Sequence, residues 1–311
     1  MGQINIIICV FFLSLILASI SADRSCDKTK CPGPTLYYKD LGCKPLYKNP
    51  DDCCPYKYNC DEVKLRSSNK CYANGHEYNI GQKLRKEDSN PCDIECRCVR
   101  LGGSARFMCA IVDCPYNYIH DPNCYLPRSA VECCAGEPIC LQNPEDRPKC
   151  EVDGKIYRDG EKFTPKSEPH KQCICGPGYK GENIAPFCRV SLASVCRPEF
   201  YHANDIEKNC TPTYYHGQSP QSSCSVAYRC QNEHDVVIKH NRDAIAPQAD
   251  DDMVCQFGTL VMRYGDELMQ NTGYNSVCMR CVCEVGPVPT CTRLPDAECD
   301  VTNHPQFDYY G

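Results

Sequence analysis

Residues 92–115 of this 311-residue chain read CDIECRCVRLGGSARFMCAIVDCP and hold five of its 31 cysteines. Within residues 71–140, one further cysteine precedes this stretch, Cys71, and four follow it, namely Cys124, the adjacent pair Cys133-Cys134, and Cys140. The ten cysteines of residues 71–140 are enough for five disulfides. Their order predicts one disulfide-built unit, here named the second unit (71–140).

The same order recurs in a third unit (150–230) with eight cysteines. They are Cys150, Cys173, Cys175, Cys188, Cys196, Cys210, Cys224 and Cys230. Counterparts of Cys92 and Cys133 are missing, and the number left is even. Loss of a single partner would have left a reactive thiol in an oxidising compartment. We therefore expect Cys92 to pair with Cys133 and to staple the two halves of the second unit together.

Two half units complete the chain. The first unit (23–60) repeats the back half of the second unit, and the fourth unit (255–299) repeats its front half. The segment 231–254 contains Pro247 and the acidic run Asp250–Asp252, so we predict a flexible linker there. Residues 300–311 form a tail after the last cysteine.

A glycine lies ten residues after the first cysteine of each front half, at Gly81, Gly160 and Gly265. Glycine tolerates the positive φ that tight turns need. Residues 77–84 and 155–163 are therefore predicted to be short β-hairpin arms that turn at glycine. No segment shows a long helical apolar period. The predicted fold class is small, disulfide-rich and mostly β and loop, with each bridge contributing roughly 3 kcal/mol for a loop of about 15 residues.

The N-terminus resembles an export signal. Ile6 to Ile20 is almost entirely apolar, and small residues up to Ala22 suit cleavage by a signal peptidase. Residues 1–22 are therefore predicted to be a signal peptide, which removes Cys9 and leaves 30 cysteines in a compartment where disulfides persist. The apolar run is shorter than a membrane-spanning helix, and no second run follows, so we predict a secreted protein without a membrane span.

Composition and motifs exclude several function classes. A net charge of −6 and a pI of about 5.8 provide no basic surface of the size nucleic acid needs. Catalytic serine, phosphate-loop and calcium-loop motifs are absent from the sequence, so we predict no enzyme and no cofactor. Spacings such as Cys96-x-Cys98 could ligate zinc, but an exported chain with paired cysteines favours disulfides over metal. The sequon at Asn209 has a cysteine in its centre, Cys210, which we expect to be bridged.

The spacing of the second unit, C-x3-C-x-C, then C-x4-C-P, then C, then C-C-x5-C, resembles the von Willebrand factor type C module. The third unit is similar but lacks two cysteines, and the terminal units resemble half modules. The resemblance implies tandem modules, each with a short antiparallel sheet subdomain followed by an irregular disulfide knot. It also implies four pairs beside Cys92 with Cys133, namely Cys71 with Cys98, Cys96 with Cys109, Cys114 with Cys134, and Cys124 with Cys140.

Modules of this kind occur in chordin-like and kielin-like proteins, which bind growth factors, and in matrix proteins. The resemblance therefore implies a secreted protein that engages or sequesters a protein ligand, such as a growth factor of the bone morphogenetic protein class. The candidate contacts are Tyr78, Ile80, Leu84 and Ile94, apolar side chains on a unit too small to bury them all. The same side chains could instead pack on the disulfides. The tryptophan that is common in this module is missing.

Two alternatives stay open. The fourth unit is similar to pacifastin-type protease inhibitors, whose reactive bond lies between the last two cysteines, and Arg293 or Leu294 would then be the specificity residue. The loops 255–278 and 291–299 are longer than that family favours. A structural role in extracellular matrix is the third hypothesis.

Overall fold

The computed structural model describes residues 26–115, 121–191, 195–239, 253–269 and 278–299. The predicted signal peptide and tail lie outside these residues, as do residues 240–252 of the predicted linker. Within the described ranges, no helix combines the length and apolarity that crossing a membrane requires.

Short strands and a few short helices make up the regular structure. The helices are α1 (Thr35–Asp40), α2 (Asp61–Lys64) and α3 (Pro198–Glu207). The strands are β1 (Lys44–Leu46), β2 (Lys57–Asn59), β3 (Lys70–Ala73), β4 (His76–Asn79), β5 (Ile94–Leu101), β6 (Ser104–Ala110), β7 (Cys124–Tyr125), β8 (Ile139–Cys140), β9 (Lys149–Val152), β10 (Lys155–Arg158), β11 (Lys162–Phe163), β12 (Lys171–Ile174), β13 (Cys188–Val190), β14 (Thr211–Tyr214), β15 (Ala227–Arg229), β16 (Val237–Ile238), β17 (Val254–Phe257), β18 (Leu260–Arg263), β19 (Glu267–Leu268), β20 (Met279–Val282) and β21 (Thr290–Arg293).

Fifteen disulfides pair the 30 cysteines from Cys26 to Cys299. The protein is thus disulfide-rich, with short and mostly antiparallel sheets, as the sequence predicts. So many bridges indicate an oxidising, extracellular setting. In the second unit the pairs are those expected above, namely Cys71–Cys98, Cys92–Cys133, Cys96–Cys109, Cys114–Cys134 and Cys124–Cys140.

The three front halves share one construction. Each begins with a hairpin, β3–β4, β9–β10 or β17–β18, and each has two bridges in equivalent positions: Cys71–Cys98 and Cys96–Cys109, Cys150–Cys175 and Cys173–Cys188, and Cys255–Cys283 and Cys281–Cys291. The glycine N–H after each hairpin donates to a cysteine carbonyl, with distances of 2.7 Å from Gly81, 2.8 Å from Gly160 and 2.8 Å from Gly265. All three glycines have φ between +83° and +91°, which explains their fixed register.

The predicted hairpin arms are wrong in their pairing. Residues 155–163 do not fold on themselves, because β10 pairs with the preceding β9 and β11 pairs with the following β12. In the second unit β4 likewise pairs with β3. The hairpin turns lie earlier, at Asn74-Gly75 and Asp153-Gly154, where all four residues have positive φ. Asn-Gly and Asp-Gly are strong signals for such two-residue turns, but the hairpin prediction placed the turns at Gly81 and Gly160 instead.

The back halves are held by bridges that connect their irregular loops. Cys196–Cys224 and Cys210–Cys230 of the third unit repeat Cys114–Cys134 and Cys124–Cys140 of the second. The first unit repeats them again with Cys31–Cys54 and Cys43–Cys60.

The third and fourth units share a six-stranded sheet with the order β15-β14-β21-β20-β19-β16. Its parallel pair, β14 with β21, joins the back half of the third unit to the fourth. Strand β16, at one edge, lies in the segment 231–254 that was predicted to be a flexible linker. That prediction is wrong for Val237 and Ile238, because pairing with β19 satisfies their backbone groups.

Contacts divide the units into two groups. The larger group contains the first unit, the front half of the second, the back half of the third, and the fourth. In it, Tyr38 reaches the fourth unit, and Phe107 stacks on Phe200 with ring centroids 4.8 Å apart. The smaller group joins the back half of the second unit to the front half of the third, where the Tyr125 hydroxyl donates to Asp159 over 2.9 Å. The Cys92–Cys133 bridge links the two groups.

Candidate protein-binding surface

The structure separates the four candidate contact residues. Tyr78 and Leu84 are core residues, 3% and 6% exposed, and pack in the same cluster as Cys71 and Cys96. Neither side chain is available to a ligand, because both are buried in this cluster. Ile80 and Ile94 are exposed, at 46% and 43%.

A buried carboxylate holds the front half of the second unit in shape. Asp88 is 3% exposed and accepts hydrogen bonds from the Tyr78 hydroxyl, from His76 Nδ1 at 2.8 Å and from Asn74 Nδ2 at 3.2 Å. Burial would raise the pKa of Asp88, but these three hydrogen bonds outweigh burial and lower it. Burial, together with the bond to Asp88, raises the pKa of Tyr78 to about 12. Tyr78 is therefore a structural residue.

The β5–β6 hairpin has one covered face and one open face. Cys96, Cys98, Ala105 and Phe107 point inward and are buried in the core cluster. Successive side chains of a strand point to opposite sides, so the residues between them point outward. The outward residues, together named the outer face, are Ile94, Arg97, Val99, Leu101, Arg106 and Met108.

A bulge in β5 places Ile94 on the outer face. Ile94 lies opposite Ala110 and Arg97 lies opposite Met108, so β5 has one residue more than β6 between these pairs. Without the extra residue, Ile94 would share the inward side with Cys96. Glu95, inside the bulge, has φ of 52°, a conformation that costs energy in residues other than glycine.

The outer face carries four apolar side chains, with Ile94 and Leu101 at its two ends and Val99 and Met108 in its middle rows. Ile94 and Leu101 are each 43% exposed and Met108 is 51% exposed, while Val99 is half-buried between them. Exposed apolar groups that adjoin one another on a sheet are typical of interaction sites, whereas isolated ones are common everywhere on protein surfaces.

Cations alternate with these apolar side chains, because Arg97 lies opposite Met108 and Arg106 lies opposite Val99. Arg97 and Arg106 are exposed on the outer face itself, and Lys83 lies beside Arg97 on the neighbouring segment. One carboxylate is present, Glu95, which pairs with Lys83 and lies 3.9 Å from Arg97. The hydrogen bond from Lys83 lowers the pKa of Glu95. With three cations and one anion, the outer face and the adjoining Lys83 carry a positive charge, although the whole chain is acidic.

The corresponding positions in the other front halves are less exposed. Phe187 takes the place of Met108 in the third unit and packs against Tyr179 with ring centroids 5.4 Å apart. Thr290 takes that place in the fourth unit and is 5% exposed. Ile174 of the third unit, at the place of Arg97, is 7% exposed. An exposed apolar side chain at the place of Met108 therefore occurs only in the second unit among the three front halves that the structure describes.

The contact residues predicted from the sequence do not include Val99, Leu101, Arg106 and Met108. Their signal was present, because Cys96-x-Cys98 requires both sulfurs to point to the same side of a strand. Arg97, Val99 and Leu101 then point to the other side.

Of the two proposed inhibitor residues, one lies in a paired strand and the other directly follows it. Arg293 ends β21, and Leu294 follows it with its N–H bonded to the Cys278 carbonyl at 2.7 Å. Strand β21 is hydrogen-bonded to β20 on one side and to β14 on the other. A protease binds its inhibitor along an extended segment with free backbone groups, so this environment argues against a reactive site here.

Four groups of side chains bring at least three potential metal ligands together among the described residues. Each contains cysteines that are bridged in pairs, for example Cys210 and Cys230 beside Asp205. A bridged sulfur cannot act as a thiolate ligand, so these groups do not fit a zinc site. Cys210 of the sequon is thus bridged, as expected.

The chain matches no family model, and no solved structure matches it.

Proposed function

We propose that this protein is an extracellular binding protein that engages a protein ligand through the outer face of its second unit. The observation that carries the proposal is the exposed outer face, on which the apolar side chains Ile94, Leu101 and Met108 alternate with the cations Arg97 and Arg106. Arg and Met are enriched in protein interfaces, where a few apolar anchors provide most of the binding energy.

The positive charge of the outer face and of Lys83 indicates the chemistry of the partner. A ligand that presents apolar side chains bordered by carboxylates would complement Arg97, Arg106 and Lys83. The resemblance to von Willebrand factor type C modules supports a growth factor of the bone morphogenetic protein class as the first ligand to test. In a chain of tandem modules of that type, the other modules would offer further surfaces for the same ligand.

The test compares two glutamate substitutions in the secreted, oxidised protein. Met108→Glu places a charge in the centre of the outer face, and Val261→Glu is the matched control, since Val261 is a strand residue that is 58% exposed in the fourth unit. Binding to immobilised growth factors of the bone morphogenetic protein class is measured by surface plasmon resonance. We expect Met108→Glu to weaken binding roughly 30-fold or more, as for loss of an interface anchor worth about 2 kcal/mol.

Equal affinities of the two variants would remove the outer face from the proposal. Absence of growth-factor binding by the parent protein would reject this ligand class. Trypsin and chymotrypsin belong in the same series, because saturable capture of either enzyme would return the inhibitor hypothesis with Arg293 and Leu294 as its first variants.

A further inference from the structure

Asn209 is the acceptor residue of the only N-glycosylation sequon in the sequence, Asn209-Cys210-Thr211. It follows helix α3 with a φ of 53°. Two hydrogen bonds of 3.1 Å hold its backbone, one from its N–H to the Ile206 carbonyl and one from the Gly258 N–H to its carbonyl. Its side chain is half-buried, and its carboxamide has no hydrogen-bond partner among the residues that the structure describes. The fold therefore does not use the group that a glycosyl transfer would modify.

Asn209 lies in the wall of a cavity of about 450 Å³ that opens to solvent. The other walls come from segments that are distant in the sequence, for example Leu41 of the first unit, Ser104 of the second and Val288 of the fourth. A group attached to the Asn209 carboxamide therefore has space beside it in the folded protein.

The charges that line the cavity are balanced. Arg66 pairs with Glu199, and Lys70 pairs with Glu77, which is outside the lining. The two charged residues of the lining that remain are exposed and opposite in sign, namely Lys64 and Glu207. A neutral group that both donates and accepts hydrogen bonds suits such a lining better than an ion does.

The uncharged part of the lining combines apolar and hydroxyl groups. Leu41 and Val288 are buried, while Tyr72 and Ser104 are half-buried. N-acetylglucosamine, the first sugar of an N-linked glycan, is neutral and has an apolar ring face and several hydroxyls. Apolar and aromatic walls with a few polar groups are typical of sites for such molecules.

The sequon is available before the fold closes over it. Cys210 pairs with Cys230, 20 residues further along the chain, and Thr211 Oγ1 donates to the Pro289 carbonyl, 78 residues further along. Synthesis of the 20 residues takes about 1–4 s at roughly 5–20 residues per second. During this interval neither native contact holds the sequon. The bridge at its centre in the folded protein therefore does not prevent an earlier modification.

We propose that Asn209 carries an N-linked oligosaccharide whose first N-acetylglucosamine lies in this cavity. In the transfer, Asn209 Nδ2 bonds to the anomeric carbon of a lipid-linked oligosaccharide diphosphate. The bond from that carbon to the phosphate oxygen breaks, the lipid diphosphate leaves with the electron pair, and Nδ2 loses one proton. None of the outer-face residues lines the cavity, so the modification is independent of the proposed protein-binding surface.

The first test compares Asn209→Asp with Asn204→Asp in protein secreted from eukaryotic cells. Aspartate tolerates the left-handed backbone of residue 209 as asparagine does, but it has no amide to modify. Asn204 is exposed on α3 outside any sequon and is the matched control. Intact-mass spectrometry before and after peptide-N-glycosidase treatment should show one N-glycan on the parent and on Asn204→Asp, and none on Asn209→Asp. An unmodified Asn209 in the parent would overturn the proposal.

A second glycan in the same molecule tests the position of the sugar. Gly102→Asn creates a sequon with Ser104 at the β5–β6 turn, where φ is 64° and an added Cβ meets nothing within 4 Å. In the native protein, peptide-N-glycosidase should release the glycan at Asn209 roughly tenfold more slowly than the one at this turn, because the sugar in the cavity is reached only after local opening. Equal rates of release would overturn the placement in the cavity.

A double variant tests the order of events. Cys210→Ser/Cys230→Ser keeps a sequon at Asn209 and removes the bridge at its centre. The parent and this variant should be modified to the same extent, as measured by mass spectrometry of the peptide that contains residue 209. Modification of the variant alone would show that the bridge forms first, and it would overturn the proposal for the parent.

Discussion

Asp88 shows how one residue organises a unit that has little hydrophobic core. Its carboxylate accepts from Asn74 at the hairpin turn, from His76 and from Tyr78. Its backbone carbonyl accepts from Arg197 Nη2 at 3.0 Å, which reaches across from the third unit. The same arginine pairs with Asp93, and both side chains are almost fully buried. A single acidic residue thus connects a turn, a strand and a neighbouring unit.

Asp88→Asn should destabilise the protein by about 2 kcal/mol at neutral pH, because the bonds from His76 and Tyr78 lose their charged acceptor. The pKa of Asp88 is lower in the folded protein than its ordinary value of 3.8, so its ionised form stabilises the fold above that pH. This stabilisation is lost as the pH falls through the lowered pKa. The difference in unfolding free energy between parent and variant, measured in guanidinium from pH 7 to pH 2, should therefore shrink at the acidic end.

Glu87→Gln is the control, since its side chain is exposed in the adjacent position. A pH-independent difference for Asp88→Asn would show that the carboxylate acts through its shape and not through its charge.

At the scale of elements, each half unit retains the bridges that it can form alone. The first unit has no front half, so Cys26 and Cys53 lack the partners that their counterparts Cys109 and Cys133 have in the second unit. The structure pairs these two remaining cysteines with each other. Likewise Cys278, the counterpart of Cys92, pairs with Cys299 inside the fourth unit. Loss of a half is thus compensated by one new bridge.

Removing the Cys92–Cys133 bridge tests this modularity. The double variant Cys92→Ser/Cys133→Ser should be secreted with the other fourteen bridges intact, because the third unit already folds without an equivalent bridge. The bridge spans 41 residues, and its loss should cost about 4 kcal/mol by loop-closure entropy. Mass spectrometry of disulfide-linked peptides and guanidinium unfolding measure the two quantities.

The single variant Cys92→Ser is the contrast, because it leaves Cys133 unpaired and should produce mixed or intermolecular disulfides. Scrambled bridges in the double variant would contradict the modular arrangement.

At the scale of the whole molecule, the first and fourth units contact each other. The Tyr38 hydroxyl bonds to the Val285 carbonyl at 2.8 Å, and it accepts from the N–H of Val288 at 3.1 Å. Glu284 accepts from the N–H of Gly33 at 3.0 Å. The first unit therefore covers the irregular loop before β21.

Tyr38→Phe should destabilise the protein by about 2 kcal/mol, because it leaves buried backbone groups of the fourth unit without a partner. Tyr47→Phe is the matched control, as Tyr47 lies in the same unit and is 39% exposed. Hydrogen exchange at Val288, followed with guanidinium unfolding, should become faster in Tyr38→Phe and stay unchanged in Tyr47→Phe. Equal behaviour of both variants would mean that the first and fourth units do not pack in this way.

The sequence alone determined the content of the units, because cysteine order and the glycines at 81, 160 and 265 are local and periodic. The Cys92–Cys133 pair followed from that order, and so did the short-stranded fold class. The other four pairs of the second unit were implied only by the resemblance of its spacing to the von Willebrand factor type C module. The tertiary structure decided which faces are open. Tyr78 and Leu84 are core residues; the Tyr78 hydroxyl bonds to the buried Asp88, and the N–H of Leu84 bonds to the Cys96 carbonyl. A one-residue bulge places Ile94 on the outer face. Phe187 packs against Tyr179 of its own unit and Thr290 is buried in β21, whereas Met108 is exposed. Which units pair along the chain depends on long-range contacts that cysteine spacing does not contain.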